Sequence, residues 1–178
     1  GFLAGRTSRV GLGTLVNCVS HRGLGVLGRQ IATLDVLSGG RARCGLGVGW
    51  FEREHRAMGL DFPPLGERYE LLEDAVEFLP LQWGPGAKPF EGRRFSTPEA
   101  IGYPRPVQER VPILVGGSGE QRTLRLAARH ADACNIFGEP DIVRHKLDVL
   151  RQHCQDVERD PAEIEVTQLS SIVTPSAS

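Results

Sequence analysis

Residues 32–50 read ATLDVLSGGRARCGLGVGW, and this stretch contains the end of a helix, a turn and a strand. Upstream of it, apolar residues recur at the three- and four-residue spacing of one helix face, at Leu24, Leu27, Ile31 and Leu34. Ser38-Gly39-Gly40 then supplies the glycine that commonly ends a helix. Residues 42–49 form a short apolar run with a glycine-rich exit, which predicts a strand.

The same alternation of strand and helix extends through the rest of the chain. The apolar runs that predict strands are 10–16, 42–49, 112–115, 133–137 and 164–173. Helices are predicted after Leu24, from Glu67 to near Pro80, over 120–131 and from Pro140, and Asp160-Pro161-Ala-Glu163 predicts one further short turn. Alternating strands and helices imply right-handed crossovers and a parallel sheet.

Two segments fall outside this alternation. Residues 50–66 are charged and contain prolines, so they are predicted to be a loop. Residues 84–110 hold five prolines and four glycines and are interpreted as an inserted excursion, such as a hairpin, outside the core. The excursion is also a candidate homodimer surface. Glycines 23, 25 and 28 lie inside the first helix pattern, where they weaken its first turn.

Composition excludes several classes of protein. The 178 residues carry a formal net charge of -1, which leaves no electrostatic footprint for nucleic acid or an anionic membrane. No apolar run approaches the ~20 residues of a spanning helix. The hydrophobic content of 40% excludes disorder as a description of the whole chain. Because the sequence starts with Gly1 in mid-pattern and stops just after an apolar run, we expect it to be a single domain, 1–178, truncated at both ends.

The cysteines and histidines are too scattered along the sequence to predict a metal site. Cys18, Cys44, Cys134 and Cys154 form no CxxC motif, and the five histidines form no HExxH motif. Three of the cysteines adjoin apolar runs, where a reduced cysteine behaves as a small hydrophobe. Buried free thiols of this kind favour a cytoplasmic protein.

Five parallel strands suit either an open doubly wound sheet or part of a (β/α)8 barrel. Length alone favours the open sheet, since a barrel needs roughly 250 residues. Small or polar residues follow four of the five strands, at Asn17-Cys18, Gly47–Gly49, Gly116–Ser118 and Gly138. A barrel uses many strand ends together, whereas an open sheet binds its ligand at one switch point, so this distribution favours the barrel.

Gly116-Gly-Ser-Gly119 is a candidate anion site, because it joins a predicted strand to a predicted helix. Its glycines let the backbone approach a phosphate, the Ser118 hydroxyl is a further donor, and Arg122 and Thr123 follow in the predicted first helical turn. The alternatives are a tight turn that merely needs glycine and a GxSxG nucleophile elbow with Ser118 as nucleophile. The elbow is disfavoured because its last position holds Glu120 in place of glycine, and Asp141 and His145 share one helix pattern.

Three groups of motifs resemble the luciferase-like monooxygenase superfamily, in its branch of coenzyme F420-dependent oxidoreductases. They are Arg9-Val-Gly-Leu-Gly-Thr-Leu-Val16 followed by residues 32–50, then Pro64-Leu-Gly-Glu-Arg68 with Tyr103-Pro-Arg-Pro106, and Ile113-Leu-Val-Gly-Gly-Ser-Gly119. The resemblance covers essentially the whole chain. It implies an incomplete α/β barrel of the TIM (β/α)8 type, with strands three to seven present and strands one, two and eight outside the sequence.

The resemblance also implies a set of cofactor-binding residues: Leu15, Val16, Cys18, Gly47, Gly49, Gly116, Gly117, Ser118 and Gly119. Residues 116–119 hold the cofactor phosphate in the family. Leu15-Val16 corresponds to a bulge with a non-prolyl cis peptide that presses on the ring, and Cys18 to a small residue near the pyrimidine edge. The ring-facing histidine of relatives would lie before Gly1, so no catalytic residue is assigned.

Other residues near these strand ends have weaker assignments. Trp50 stands where some relatives place an acidic proton-handling residue, and together with Phe51 it could wall the pocket. Glu52, Glu54 and His55 favour a solvated charged loop, and the direction of Asn135 is left open. The sequence departs from the family pattern at Gly23-Leu-Gly, which follows His21-Arg22, and at Pro80.

The implied activity is hydride transfer between coenzyme F420 and an unidentified small organic substrate. The alternative within enzymes is an FMN-dependent two-component monooxygenase that uses reduced flavin and dioxygen. The alternative from another class is a non-catalytic domain that binds a phosphate or a cofactor. The piece alone is expected to be inactive as an enzyme.

Overall fold

The computed structural model describes residues 1–170, which form a parallel sheet with helices between its strands. The helices are α1 Phe2–Arg6, α2 Leu24–Ser38, α3 Glu52–Ala57, α4 Leu65–Trp83, α5 Thr123–His130 and α6 Pro140–Asp156, with 3-10 turns at Val19–His21 and Pro161–Glu163. The strands are β1 Leu12–Gly13, β2 Asn17–Cys18, β3 Ala42–Gly47, β4 Lys88–Glu91, β5 Ser96–Ala100, β6 Ile113–Gly116, β7 Ala133–Ile136 and β8 Glu165–Gln168. Within this part of the chain, no helix combines the length and apolar character needed to cross a membrane.

The order of the strands identifies the type of sheet. Along the main sheet the order is β1, β3, β6, β7, β8, every neighbouring pair is parallel, and β2 also pairs with β3. A doubly wound sheet reverses its order at a switch point, but here spatial order follows chain order without reversal. The fold is therefore the predicted (β/α)8 type, with five of the eight strand positions among residues 1–170.

The predicted first strand, 10–16, is interrupted. Leu12 pairs with Ala42 and Asn17 pairs with Leu46, so the β1–β2 side uses one residue more than β3 over the same length. The extra residue falls within 14–16, where β1 has ended and β2 has not begun. This is the geometry of a bulge, which bends a strand and redirects its side chains.

Four other predicted elements differ from the structure. The loop predicted at 50–66 contains α3, and α4 passes through Pro80 to end at Trp83. Helix α5 begins at Thr123, later than predicted, because residues 120–122 form a turn in which Gly119 C=O accepts from Leu124 N–H. The last strand is short, and residues 171–173 of its predicted range lie outside the described residues.

The 84–110 segment contains the expected hairpin, β4 paired antiparallel with β5. The hairpin packs against the core, contrary to the prediction, because Phe90 and Ala100 are buried in it. The buried Asp74 carboxylate on α4 accepts hydrogen bonds from the backbone N–H groups of residues 93, 94 and 95 at 2.9, 2.7 and 2.9 Å. A buried carboxylate needs such donors, and here they attach the hairpin turn to α4.

The stretch at 32–50 is stabilised by the buried carboxylate of Asp35. It accepts from the backbone N–H groups of Ala42, Val107 and Gln108 at 3.2, 2.9 and 3.1 Å, and from the Gln108 side chain at 2.6 Å. Gly39 follows α2 with φ +67°, in the left-handed conformation expected of a helix C-cap. Asp35 therefore joins the end of α2, the start of β3 and the segment after the hairpin.

Close contact between α2 and α4 explains one of the helix glycines. An ideal β-carbon at Gly28 would lie 1.8 Å from Gln82 Oε1 and 2.9 Å from Leu79 Cδ2. The Trp83 indole N–H donates to the Gly28 carbonyl at 2.9 Å, which is consistent with this close approach. At Gly25 the same construction meets only Gln82 Nε2, at an ordinary 3.6 Å.

We predict opposite effects of alanine at these two positions of α2. Gly28→Ala should lower the free energy of unfolding by about 1–3 kcal/mol, because the added methyl overpacks the α2–α4 contact. Gly25→Ala is the matched control, and it should raise stability by about 0.5–1 kcal/mol through helix propensity. Urea unfolding followed by circular dichroism measures both, and equal effects of the two substitutions would contradict the packing argument.

Candidate functional site

The carboxyl ends of the parallel strands meet at one edge of the sheet. The register pairs Cys18 with Gly47, Leu46 with Val115, and Gly116 with Asn135, so the segments that follow these strands are neighbours. All nine predicted cofactor-binding residues belong to the segments 15–18, 47–49 and 116–119 at this edge. In barrels of this type, the carboxyl-terminal face is the one that carries the active site.

The bulge between β1 and β2 fits into a gap left by glycines. The peptide bond between Leu15 and Val16 is cis, as the resemblance implies. An ideal β-carbon at Gly47 would lie 2.6 Å from Val16 Cγ2, and one at Gly116 would lie 2.7 Å from Val16 Cγ1. The Val16 side chain thus occupies the space of two absent side chains, while the neighbouring Leu15 is 54% exposed.

The 116–119 loop has free donors. Gly117 has φ +117°, a conformation that glycine adopts readily, and its N–H donates to the Asn135 carbonyl at 3.3 Å. Within residues 1–170, the N–H groups of Ser118 and Gly119 donate to no backbone carbonyl, and the Ser118 hydroxyl has no hydrogen-bond partner. Adjacent unpaired N–H groups in a glycine turn before a helix are a common phosphate-binding arrangement.

The expected extra donors after this loop are engaged elsewhere. The Thr123 hydroxyl is hydrogen-bonded to the Tyr69 hydroxyl at 2.8 Å. The Arg122 guanidinium donates to Glu73 at 3.1 Å and lies 4.5 Å from the Tyr69 ring centroid. Both side chains therefore connect the start of α5 to α4, and their role as further donors to the loop stays a prediction.

The structure does not assemble a nucleophile around Ser118. Glu120 accepts from Lys146 at 2.6 Å and lies 3.2 Å from His145 Nε2, and the hydrogen bond from Lys146 holds the pKa of Glu120 below its usual value. Asp141 is exposed and forms an ion pair with Arg144. Among the described residues, neither His145 nor Asp141 is hydrogen-bonded to Ser118, so the hydrolase alternative has no geometric support.

Two buried asparagines cross-link neighbouring strands below this edge. Asn17 Nδ2 donates to the Gly45 carbonyl at 3.1 Å and to the Thr14 hydroxyl at 2.5 Å. Asn135 Nδ2 donates to the Thr167 hydroxyl on β8 at 2.9 Å, which settles the direction that the sequence left open. These bonds hold the strands together.

A cluster of Cys18, Ser20, His21 and His55 lies beside the exit of β3, where the sequence predicted only a charged loop. His55 is buried, which corrects its assignment to a solvated loop, whereas Glu52 and Glu54 are exposed as expected. The Ser20 hydroxyl is hydrogen-bonded to His55 Nε2 at 2.8 Å, and Cys18 Sγ lies 3.7 Å from the same nitrogen. Helix α3 brings His55 to residues 18–21, a contact that no local spacing in the sequence could reveal.

His21 completes this cluster. Its ring centroid lies 4.5 Å from that of His55, and its Nε2 lies 3.8 Å from Glu54 Oε2. Burial lowers the pKa of His21 below its usual value, and the neighbouring His55 lowers it further. Both effects favour the neutral imidazole.

The loop after β3 is fastened by one buried cation. The Arg68 guanidinium donates to the carbonyls of Val48, Gly49 and Pro63 at 3.1, 2.5 and 2.8 Å. It also lies 3.9 Å from the centroid of Phe62, whose ring packs against His55. Trp50, by contrast, is 85% exposed, so it forms no pocket wall with the described residues alone.

Comparison with known proteins identifies the family of this chain and several sequence relatives. A model of the luciferase-like monooxygenase family matches residues 1–177. The chain is 37% identical over 150 residues to an F420-dependent glucose-6-phosphate dehydrogenase of Microbacterium testaceum, which covers 83% of this chain and 44% of that enzyme. It is 32% identical over 118 residues to the pyrimidine monooxygenase RutA of Klebsiella pneumoniae, which covers 64% of this chain and 31% of that enzyme.

The fold is also shared with solved structures. The coenzyme F420 dependent tetrahydromethanopterin reductase from Methanopyrus kandleri superposes with a TM-score of 0.84 at 24% identity, over 94% of this chain and 51% of that chain. This likeness concerns the fold alone. The chain spans about half the length of these relatives or less.

We predict that Gly47 and Val16 are energetically coupled. Gly47→Ala should lower the free energy of unfolding by about 1–3 kcal/mol, because its methyl would meet Val16 Cγ2. Val16→Ala removes the clash in the double variant. The free energy of unfolding of the double variant should therefore exceed, by at least about 1 kcal/mol, the value that the sum of the two single-variant changes predicts. Urea unfolding measures this cycle.

Gly66→Ala provides the control for the coupling, since no neighbouring atom lies within 4 Å of the added methyl. Its effect should add to that of Val16→Ala without coupling. Additive effects of Gly47→Ala and Val16→Ala would contradict the proposed contact.

Proposed function

Since the chain belongs to the luciferase-like monooxygenase family, we propose that it forms the cofactor-binding part of an oxidoreductase that transfers hydride between coenzyme F420 and a small organic substrate. The observation that carries this proposal is the pair of free N–H groups at Ser118 and Gly119 on the same edge as the exposed Leu15. Together they offer a phosphate donor set and an apolar surface to one ligand.

The chain's residues fit such a cofactor in two ways. The N–H groups of Ser118 and Gly119, with the Ser118 hydroxyl, are suited to the phosphate. Leu15, Val16, Cys18 and the glycines at 47, 49, 116 and 117 would lie around the ring, and the side chains of Val16 and Cys18 fill the space beside Gly47, Gly116 and Gly49. The glycine gap is filled by Val16, so the surface offered to the ring is apolar and preformed.

When bound, coenzyme F420 would supply two-electron hydride chemistry, and the protein would supply position and the exclusion of water. Leu15 would present its apolar side chain to the ring and keep water from that face. Arg68 holds the backbone carbonyls of Val48 and Gly49 in place, so the exit of β3 stays fixed beside the ring. No acid–base residue is proposed among the described residues.

An FMN-dependent monooxygenase that uses reduced flavin and dioxygen is the second candidate function. The observation that favours it is the 32% identity to RutA, whose name states a monooxygenase activity. Both candidates use the same phosphate loop and apolar surface, so cofactor preference separates them. A non-catalytic phosphate-binding domain is the third candidate, and an anion bound without preference for either ring would favour it.

We predict that the chain binds coenzyme F420, and that Leu15→Asp weakens this binding by about tenfold or more, a loss of about 1.4 kcal/mol. The substitution places a charge where the ring would lie, and it spares the core because Leu15 is exposed. Fluorescence titration of coenzyme F420 and of FMN into the purified chain measures both affinities.

Leu37→Asp is the matched control, an exposed leucine on α2 that should leave both affinities unchanged. Tight FMN binding without binding of coenzyme F420 would favour the monooxygenase over our proposal. Binding of neither cofactor would overturn the proposal for this chain, and equal weakening by both substitutions would place the cofactor elsewhere.

A further inference from the structure

The cluster at the exit of β3 contains three potential metal ligands, of which His21 and His55 have no role in the proposed function. The Cys18 Sγ and the available ring nitrogens of His21 and His55 all lie within 4.8 Å of one another. They come from two segments, residues 18–21 and α3, which explains why motif spacing in the sequence predicted no metal site. Two imidazoles and a thiol are a donor set that borderline-soft divalent cations prefer.

The distance between the two buried ligands fits a tetrahedral metal. Zn–S of about 2.3 Å and Zn–N of about 2.0 Å place a sulfur and a nitrogen ligand about 3.5 Å apart. Cys18 Sγ and His55 Nε2 are separated by 3.7 Å, so a common metal ion requires little movement of either. The His21 ring packs beside this pair, with its centroid 4.5 Å from that of His55.

The orientation of His55 prepares it for this role. His55 Nδ1 lies 3.3 Å from the Phe51 carbonyl, and since a carbonyl only accepts, Nδ1 carries the proton in this hydrogen bond. The lone pair of Nε2 then faces Cys18 and Ser20. A backbone carbonyl that fixes the tautomer and the ring in this way is the usual second partner of a metal-binding histidine.

His21 provides an independent sign of an absent ligand. Its Nε2 is a buried atom with no hydrogen-bond partner among the described residues, and the Glu54 carboxylate at 3.8 Å is too far to serve as one. Buried polar atoms are nearly always paired, and an ion is one of the accepted explanations for an exception. A ring nitrogen of His21 has its two potential co-ligands within 4.8 Å.

We propose that Cys18, His21 and His55 bind one divalent transition-metal ion of the zinc type, with water or the Glu54 carboxylate in the fourth position. Binding converts the Cys18 thiol to a thiolate and releases its proton to solvent, while His55 coordinates through Nε2 and His21 through one ring nitrogen, both as neutral imidazoles. The ion would join the 18–21 turn to α3 at the edge that carries the proposed cofactor residues. The proposal does not rest on the proposed function, because it is argued from the geometry of this cluster, although Cys18 belongs to both sets of residues.

Titration of the untagged, reduced chain with Zn²⁺ and with Co²⁺ tests this site. We expect one equivalent of either metal to bind, and the Co²⁺ form to show the thiolate charge-transfer band and the intense visible bands of a tetrahedral site. Cys18→Ser should abolish the charge-transfer band, and His21→Phe should weaken Zn²⁺ binding by about 100-fold or more. Phenylalanine keeps a ring at position 21, which lies outside the hydrophobic core, so this variant is expected to fold even if Cys18→Ser disturbs folding.

The controls distinguish metal binding at this site from binding at other histidines or thiols, and from an effect on cofactor binding. His145→Asn replaces an exposed histidine elsewhere and should leave metal affinity unchanged. The other thiols are poor competitors, since burial raises the pKa of Cys44 to about 12 and that of Cys134 to about 11. Coenzyme F420 binding should survive His21→Phe. Absence of stoichiometric binding, or wild-type affinity in the His21→Phe variant, would overturn the proposal.

Discussion

The candidate site depends on a steric constraint, since the backbone at 14–16 occupies space that three neighbouring β-carbons would otherwise fill. An ideal β-carbon at Gly45 would lie 1.9 Å from the Thr14 carbonyl oxygen, and those at Gly47 and Gly116 would meet Val16. Without glycine at these places, the extra residue of the first strand could not fold inward. These glycines lie in β3 and β6. The composition of these two strands therefore permits the interruption between β1 and β2, with Leu15 exposed.

Three charged side chains hold the elements around this constraint. Asp35 and Asp74 are buried carboxylates that accept hydrogen bonds from backbone N–H groups of distant segments, which makes their burial favourable. Arg41 is half-buried and donates to the carbonyls of Ala4, Thr7 and Val10 at 3.0, 2.8 and 2.7 Å. The segment at 32–50 is thus both a helix–strand connection and the point to which the first ten residues are joined.

Much of the fold could be predicted from the sequence, because periodicity and glycine placement are local signals. The strand–helix alternation, the C-cap at Gly39 and the glycine turn after β6 follow from such signals, whereas the cis bond between Leu15 and Val16 was implied only by the family resemblance. The burial of His55, the docking of the hairpin on Asp74 and the close contact at Gly28 could not be predicted. These depend on residues 19 to 54 positions apart in the chain, and a single sequence does not state which distant side chains meet.

The fastening of both ends of one loop by Arg68 has a consequence for how such a protein changes over evolution. A single guanidinium holds the carbonyls of Val48 and Gly49 at the start of the loop and that of Pro63 at its end. The endpoints of the span between them are therefore fixed to the barrel whatever the exposed residues of the loop are. His55 is buried within that span, so sequence variation is expected at the exposed positions, such as Trp50, and not on the face of α3 that packs against residues 18–21.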